Sequence, residues 1–392
     1  MIFCVGYDNN YMSLILTRLL YPEDEVVCSF ITELLLQQNI DACYYWGCEI
    51  YYSDIDNIFL LIWKVYFDFY AEYNPKMEKY IATRYRHWKE DRNLQYIFDI
   101  IHNLFHFTSS SKVFLLRQHA CIQRKPLTIY RRSKHKKWEW LNKFDRKFYT
   151  FLKALYKKNL RCVATELCNL TRTHDAKEIY DTIIAYCAGS VPLLPSATIE
   201  KKWSNRAWTD DFHGLLALVV HLGTDMERIL VKPVYKKPMA DDVERYKLFH
   251  AQLEERHRTT CRAYRILRDF RHYSLHPGAG AFRTARNSVS DFKAKNILHW
   301  EYYAYNSPVW KERFRKYNGR QCDKDNTVYF DDDDNLELFY SRYGLEFDEQ
   351  SHRTQSASLL HIKPLSWHRW HQNIFSEEPI IVFGNEHVYA YW

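Results

Sequence analysis

Apolar residues recur three and four positions apart through most of the first half of the chain, which is the spacing of amphipathic helices. Helix breakers are scarce there. Between Glu23 and Ala120 the chain has one glycine, Gly47, and one proline, Pro75. Pro22 suits a first helical position, where a missing N–H costs nothing, and Glu23, Asp24 and Glu25 suit the positive end of a helix dipole. Val26, Val27, Phe30, Ile31, Leu34 and Leu35 then predict a first helix. After the polar break Gln37-Gln38-Asn39, Ala42, Cys43, Trp46 and Ile50 predict a second. A third is expected over 58–73, ending at Asn74-Pro75, and a fourth over 94–107, stopped by Thr108-Ser109-Ser110-Ser111. Residues 162–187 repeat the style, with a polar joint at Arg172-Thr173-His174-Asp175.

The pattern changes further on. Residues 189–195 read as a module boundary, 215–230 as a buried helix, 231–238 as a loop and 241–273 as a long charged helix. His276-Pro277-Gly278-Ala279-Gly280 is the strongest breaker. Beyond it, 328–330 looks like a short strand and 336–343 like a short helix ended by Gly344. Two apolar runs around Gly384-Asn385 predict a terminal β-hairpin. The expectation is a mainly α protein: an irregular helical bundle, or a HEAT-like helical-repeat body, with a smaller α+β C-terminal module ending in that hairpin. No fixed period favours the repeat over the bundle. The divisions are 1–120 (N-terminal helical), 121–188 (basic segment and helical continuation), 189–275 (helical middle) and 276–392 (α+β).

Composition adds two points. The 392 residues include 31 Tyr, 23 Phe and 12 Trp, 17% of the chain. The bland reading is that rings fill the helix interfaces; the sharper one is that some stack on bases or anchor a partner. The 10 cysteines are scattered, with no CxxC, so they read as free thiols in a reducing compartment. Asp8-Asn9-Asn10 interrupts any signal-peptide core, and no apolar run approaches the roughly 20 residues a membrane-spanning helix needs.

Charge is unevenly placed. Residues 124–161 hold fourteen Lys or Arg against two acids, a balance of +12, so the rest of the chain carries +7 − 12 = −5. On one continuous helix, Leu141, Phe144, Phe148, Phe151, Leu152 and Leu155 would share one arc. Lys143, Arg146, Lys147, Lys153, Lys157 and Lys158 would lie opposite. Arg131, Arg132, Lys134, Lys136 and Lys137 form a basic run before them. So dense a set calls for a counter-charge: nucleic-acid phosphate, an acidic protein surface or anionic lipid. The alternative is a solvated face on an ordinary helix.

Sequence signals for catalysis are poor. There is no phosphate-wrapping GxxxxGK[ST] loop, no HExxH and no GxSxG elbow. The pairs His102/His106, His272/His276 and His368/His371 have helical spacing, the last in a tryptophan-rich turn, but two histidines do not make a metal site. His221 and Asp225, next to Asp210 and Asp211, could bind a metal. Asp331 to Asp334 reads as helix capping. No catalytic residue, metal ligand or cofactor is assigned.

Four stretches carry a resemblance: Tyr21-Pro22-Glu23-Asp24, WKVYFDFYAEYNP at 63–75, HWEYYAYNSPVWKERFRKYNG at 299–319 and LEFDEQ at 345–350. They resemble a conserved protein family of large double-stranded DNA viruses of the mimivirus and phycodnavirus kind. The resemblance implies a viral protein at work in the host cytoplasm, at the viral factory, or packaged in the virion; it brings no catalytic residues with it. The functional expectation is a non-enzymatic scaffold or adaptor for other viral or host proteins. Its 124–161 segment would meet nucleic acid or an acidic protein surface, in viral gene expression (translation initiation or transcription) or replication. The alternatives are a metal-dependent nucleic-acid enzyme and a structural virion component.

Overall fold

The structure is a computed structural model and describes residues 14–122, 130, 136–190, 211–224, 233–255, 270–288, 291–343, 351–359 and 361–382. The chain is mainly helical, with one small two-stranded sheet near its C-terminal end among the described residues. In the body, α1 (Glu23–Leu36), α2 (Ile40–Ser53), α3 (Asn57–Val65), α4 (Met77–Asp91), α5 (Leu94–His106) and α6 (Lys112–Ile122) follow in order. Then come α7 (Tyr149–Tyr156), α8 (Leu160–Thr173), α9 (Ala176–Ser190), α10 (Asp211–Leu222) and α11 (Ala240–Glu255).

The centre is the pair α1 and α2. Helix α2 reads IDACYYWGCEIYYS, mostly apolar or aromatic, and is buried continuously from Ala42 to Tyr51, the Glu49 carboxylate included. Asn39 starts it by accepting a hydrogen bond from Ala42 N–H at 3.1 Å. Gly47 lets α5 come close: a Cβ there would stand 2.5 Å from Ile101 Cδ1. Trp46, Tyr21, Tyr44, Tyr45, Tyr66, Tyr70 and Phe30 are fully buried in this region, so the bland reading of the aromatic content holds here. Cys28, Cys43, Cys48, Cys162 and Cys168 are buried free thiols.

The expected third helix is interrupted. Helix α3 gives way at Tyr66 to a π-helical turn, Tyr66–Tyr70, which carries Asp68 inward. There Asp68 receives two hydrogen bonds from Arg117 of α6, at 2.9 and 2.8 Å, and His213 Nε2 of α10 lies 3.2 Å away. Burial pushes the Asp68 carboxyl up, but the Arg117 and His213 charges outweigh it and hold it well below the usual range.

The C-terminal module has a second core around Trp300, Trp310, Phe314 and Phe339. It contains α12 (Ala285–Ser288), α13 (Phe292–Ile297), α14 (Trp300–Ala304), α15 (Pro308–Arg315), β1 (Arg320–Cys322), β2 (Thr327–Tyr329) and α16 (Asp333–Tyr343). The strands pair antiparallel with Gln321 opposite Val328, close to the predicted strand. Leu14, Leu16 and Leu20, from the other end of the chain, belong to this second core, and Trp310 donates to the Thr17 carbonyl at 2.8 Å. Glu25 of α1 clamps Arg286 with two hydrogen bonds, at 2.6 and 2.9 Å. The first-turn acids of α1 therefore serve as an anchor between the cores, beyond their role at the dipole.

After α17 (His352–Ser358), the expected tryptophan-rich turn is a helix, α18 (Trp367–Ile374), started by Ser366, which accepts from Arg369 N–H. The His276–Gly280 breaker is a 3-10 turn, Pro277–Ala281, which packs on α1 with Gly278, Ala279 and Ala281 buried. It also seats the strap leading into α18: a Cβ on Gly280 would lie 2.1 Å from the Lys363 carbonyl oxygen, and Leu365 N–H donates to Gly280 at 3.1 Å. The long helix expected over 241–273 is described as far as Glu255; His272 and Tyr273 are not helical. The terminal hairpin lies outside the described residues from 383 onward, and 380–382 is not strand. Among the described residues, no helix is long and apolar enough to cross a membrane.

Candidate functional site

The basic segment does not form one continuous amphipathic helix. A 3-10 helix, Lys136–Lys143, ends at Phe144; a second short one, Arg146–Phe148, leads into α7. Asp145 makes the break. Its carboxylate accepts from Lys147 N–H at 3.1 Å, the N-cap geometry that starts a new helix. The apolar residues still point inward as expected: Leu141, Phe148, Phe151 and Leu152 are buried, against α8 for the most part.

The cations divide into two groups. Lys153 is a correction to the predicted polar arc: it is only 7% exposed, donates to Tyr149 Oη at 3.1 Å and lies over the Tyr149 and Tyr130 rings. The ammonium stands 5.1 Å from the Tyr149 ring and 6.0 Å from that of Tyr130, which no helical wheel of 141–158 contains. Lys147 is half-buried and ion-paired with Glu178 of α9 at 2.6 Å. Lys143, Arg146, Lys157 and Lys158 are exposed. Lys143, Arg146 and Lys158 have no carboxylate within ion-pair distance among the described residues, and Lys157 Nζ stands 5.0 Å from the Tyr130 ring. Of the earlier basic run, Arg131, Arg132 and Lys134 lie outside the described residues, as do the side chains of Lys136 and Lys137.

The end of α7 is shaped by Lys158, which has a positive φ of 54°. Asn159 N–H bonds to the Ala154 carbonyl and Lys158 N–H to the Leu155 carbonyl, both at 3.0 Å, the two bonds of a Schellman ending. That position normally takes glycine, since a side chain there costs about 1 kcal/mol. Here it carries an exposed ammonium. Next to it Tyr156 is 44% exposed, 5.7 Å from the Trp140 ring. On the other flank, an open groove of about 540 Å³ between Lys143 and α9 is lined by Asp175, Lys177, Glu178 and Asp181, a mixture of signs.

No protein-family model, curated protein or solved structure matches this chain.

The other sequence-level candidates become structural parts. His102 Nδ1 sits 2.8 Å from Tyr44 Oη, and His276 Nδ1 accepts from Gly278 N–H. His221 donates from Nδ1 to the Glu72 carbonyl at 2.8 Å. Its proposed partners Asp210 and Asp225 lie outside the described residues, as does the side chain of Asp211. Asp332 accepts from Asn335 N–H at 2.7 Å, which is helix capping. Among the described residues no group of three or more His, Cys, Asp or Glu is placed to hold a metal ion.

One arrangement had no signal in the sequence. The serine run after α5 and His371 of α18 meet across 260 residues: Ser111 Oγ and His371 Nε2 are 2.8 Å apart. Beside them the buried carboxylate of Glu72 accepts from Ser110 Oγ, from Lys112 Nζ at 2.6 Å and from Thr224 Oγ1 at 2.9 Å.

Proposed function

We propose that this chain is a helical scaffold that grips single-stranded nucleic acid along its 136–161 edge. Lys143, Arg146, Lys157 and Lys158 would contact phosphates, and Tyr156 would offer a ring to a base. One observation carries the reading: Lys143, Arg146 and Lys158 are exposed with no carboxylate at ion-pair distance among the described residues, while Arg18, Glu49, Asp68 and Arg117 inside the body are spent on internal partners. Backbone binding needs little more than such exposed cations, because each neutralised phosphate releases counterions. An exposed ring beside them adds sequence-tolerant stacking.

The setting rests on the resemblance given above. It places the scaffold among viral or host partners in viral gene expression or replication, in the host cytoplasm or the virion.

The test is fluorescence anisotropy of labelled single-stranded RNA with wild type and with a Lys143→Glu, Arg146→Glu, Lys157→Glu, Lys158→Glu variant. The reading expects affinity to drop by at least about tenfold in the variant, with the fold intact by circular dichroism. Equal affinity would refute it. Loss of a protein partner with RNA binding unchanged would move the edge to an acidic protein surface.

A further inference from the structure

Behind the serine run is a cavity of about 360 Å³, within the range of small-molecule sites. Its floor holds Ser111 and His371, 7% and 1% exposed, and its walls include Tyr73, Phe375, Lys112 and Glu377. We propose that Ser111 and His371 are a nucleophile and its base for hydrolysis of small acyl esters bound in this cavity. The proposal is independent of the nucleic-acid edge.

Position and anchoring support it. Ser111 directly precedes α6, whose first-turn N–H groups have no partner within the helix; the first of them, on Lys112, donates to Ser110 Oγ at 3.2 Å. Such groups stabilise an oxyanion. The Lys112 ammonium lines the same cavity but is ion-paired with Glu72 at 2.6 Å, so the oxyanion would rely on backbone donors. His371 is held between Trp367 and Phe375, with ring centroids 5.1 and 4.9 Å away. Its helix is pinned to α1 by Trp370 Nε1 donating to Thr32 Oγ1 at 3.0 Å. The ring therefore cannot swing off the serine without unseating α18.

The imidazole is not consumed by structural bonds. His371 Nδ1 is buried without a hydrogen-bond partner. With the proton on Nδ1, Nε2 presents its lone pair to the Ser111 hydroxyl, which is the tautomer a base requires. Burial, with His368 nearby, holds the ring down to about 4, so it stays neutral through the physiological range. It is a weak base, and the cost is rate.

The chemistry balances with water alone. Ser111 Oγ bonds to the acyl carbon while its proton passes to His371 Nε2. The ester C–O bond breaks, and the leaving alkoxide takes that proton. Water then attacks the acyl-serine with His371 again as base, releasing the acid and restoring Ser111. Tyr73 and Phe375 favour a short apolar acyl group, and Glu377 at the rim disfavours anionic leaving groups.

The experiment is to treat the full-length protein with a fluorophosphonate probe, map the adduct by peptide mass spectrometry, and follow hydrolysis of p-nitrophenyl acetate. Expected are an adduct on Ser111, turnover lowered about a hundredfold or more in Ser111→Ala and in His371→Gln, and a pH–rate midpoint near 4. A folded wild-type protein left unlabelled at Ser111 would overturn the proposal, whatever the stability of the variants. So would Ser111→Ala hydrolysing the ester as fast as wild type.

Discussion

The interior of the body and the 136–161 edge treat charge in opposite ways. Inside, Arg18 and Glu49 have side chains with no exposure at all; they meet at 2.8 Å, and Glu49 also accepts from Leu19 N–H. Arg18 further reaches His250 at 2.9 Å and lies over the Tyr52 ring. Asp68 and Arg117 are similarly closed off. At the edge, Lys143, Arg146 and Lys158 are left in solvent. A count of arginines and lysines does not say which of them are engaged. Burial shows that the interior cations are committed to holding helices together, whereas the edge cations remain available for an external partner. Lys147 and Lys153 lie between the two, counted in the same basic run yet already engaged.

The largest effect that follows is on stability. Glu49→Ala should leave Arg18 buried and unpaired and cost about 3–5 kcal/mol, read as a lower urea midpoint. If it cost no more than a surface substitution, the interior pair would not be the anchor described.

Acid should come next. Burial, with Arg18 adjacent, holds His250 down to about 4, as burial does His371. Above an ordinary histidine value near 6.5, neither the folded nor the unfolded chain holds these protons, and the rings contribute no pH dependence. As pH falls from there toward 4, the unfolded chain takes up protons that the folded chain refuses, so stability drops. Each ring accounts for at most about 1.4 kcal/mol per pH unit within that window. Replacing His250 by Gln should flatten the pH dependence of the melting temperature in this range; an unchanged slope would contradict the assignment.

Gly280→Ala should cost about 1–3 kcal/mol, because the new methyl meets the Lys363 carbonyl, a backbone atom that cannot swing away. It should also loosen α18, seen as faster amide exchange in 367–374. The smallest effect separates function from stability within one residue. Lys158→Gly relieves the positive φ and should stabilise by up to about 1 kcal/mol while weakening RNA binding. A variant that gains stability and keeps full affinity would remove Lys158 from the contact set.

Much of the helical body was legible because its apolar spacing is strong: α1, α2, α5, α8 and α9 fall where the periodicity puts them. Two helices were not. Helix α4, MEKYIATRYRHWKED, buries only Met77, Ile81 and Trp88, too sparse a stripe to stand out. Helix α6, KVFLLRQHACI, is buried nearly all round, so it has no polar face to mark a period. The basic residues were legible as a count but not as a surface. Asp145 works as a cap through a backbone bond that a helical wheel does not show, and Tyr130, close to Lys153 and Lys157, lies outside the wheel. The serine run was read as a helix stop, which it is. Its second role depends on His371, and a contact spanning 260 residues leaves no local trace.

The edge claim is tested most directly by the salt dependence of RNA affinity, measured by anisotropy for wild type and for the four-site glutamate variant across a range of sodium chloride. If the exposed cations displace counterions, log affinity falls linearly with log salt for wild type. The slope of the variant is then shallower by roughly 2 to 3. Parallel lines for the two proteins would mean that these four side chains do not touch the nucleic acid.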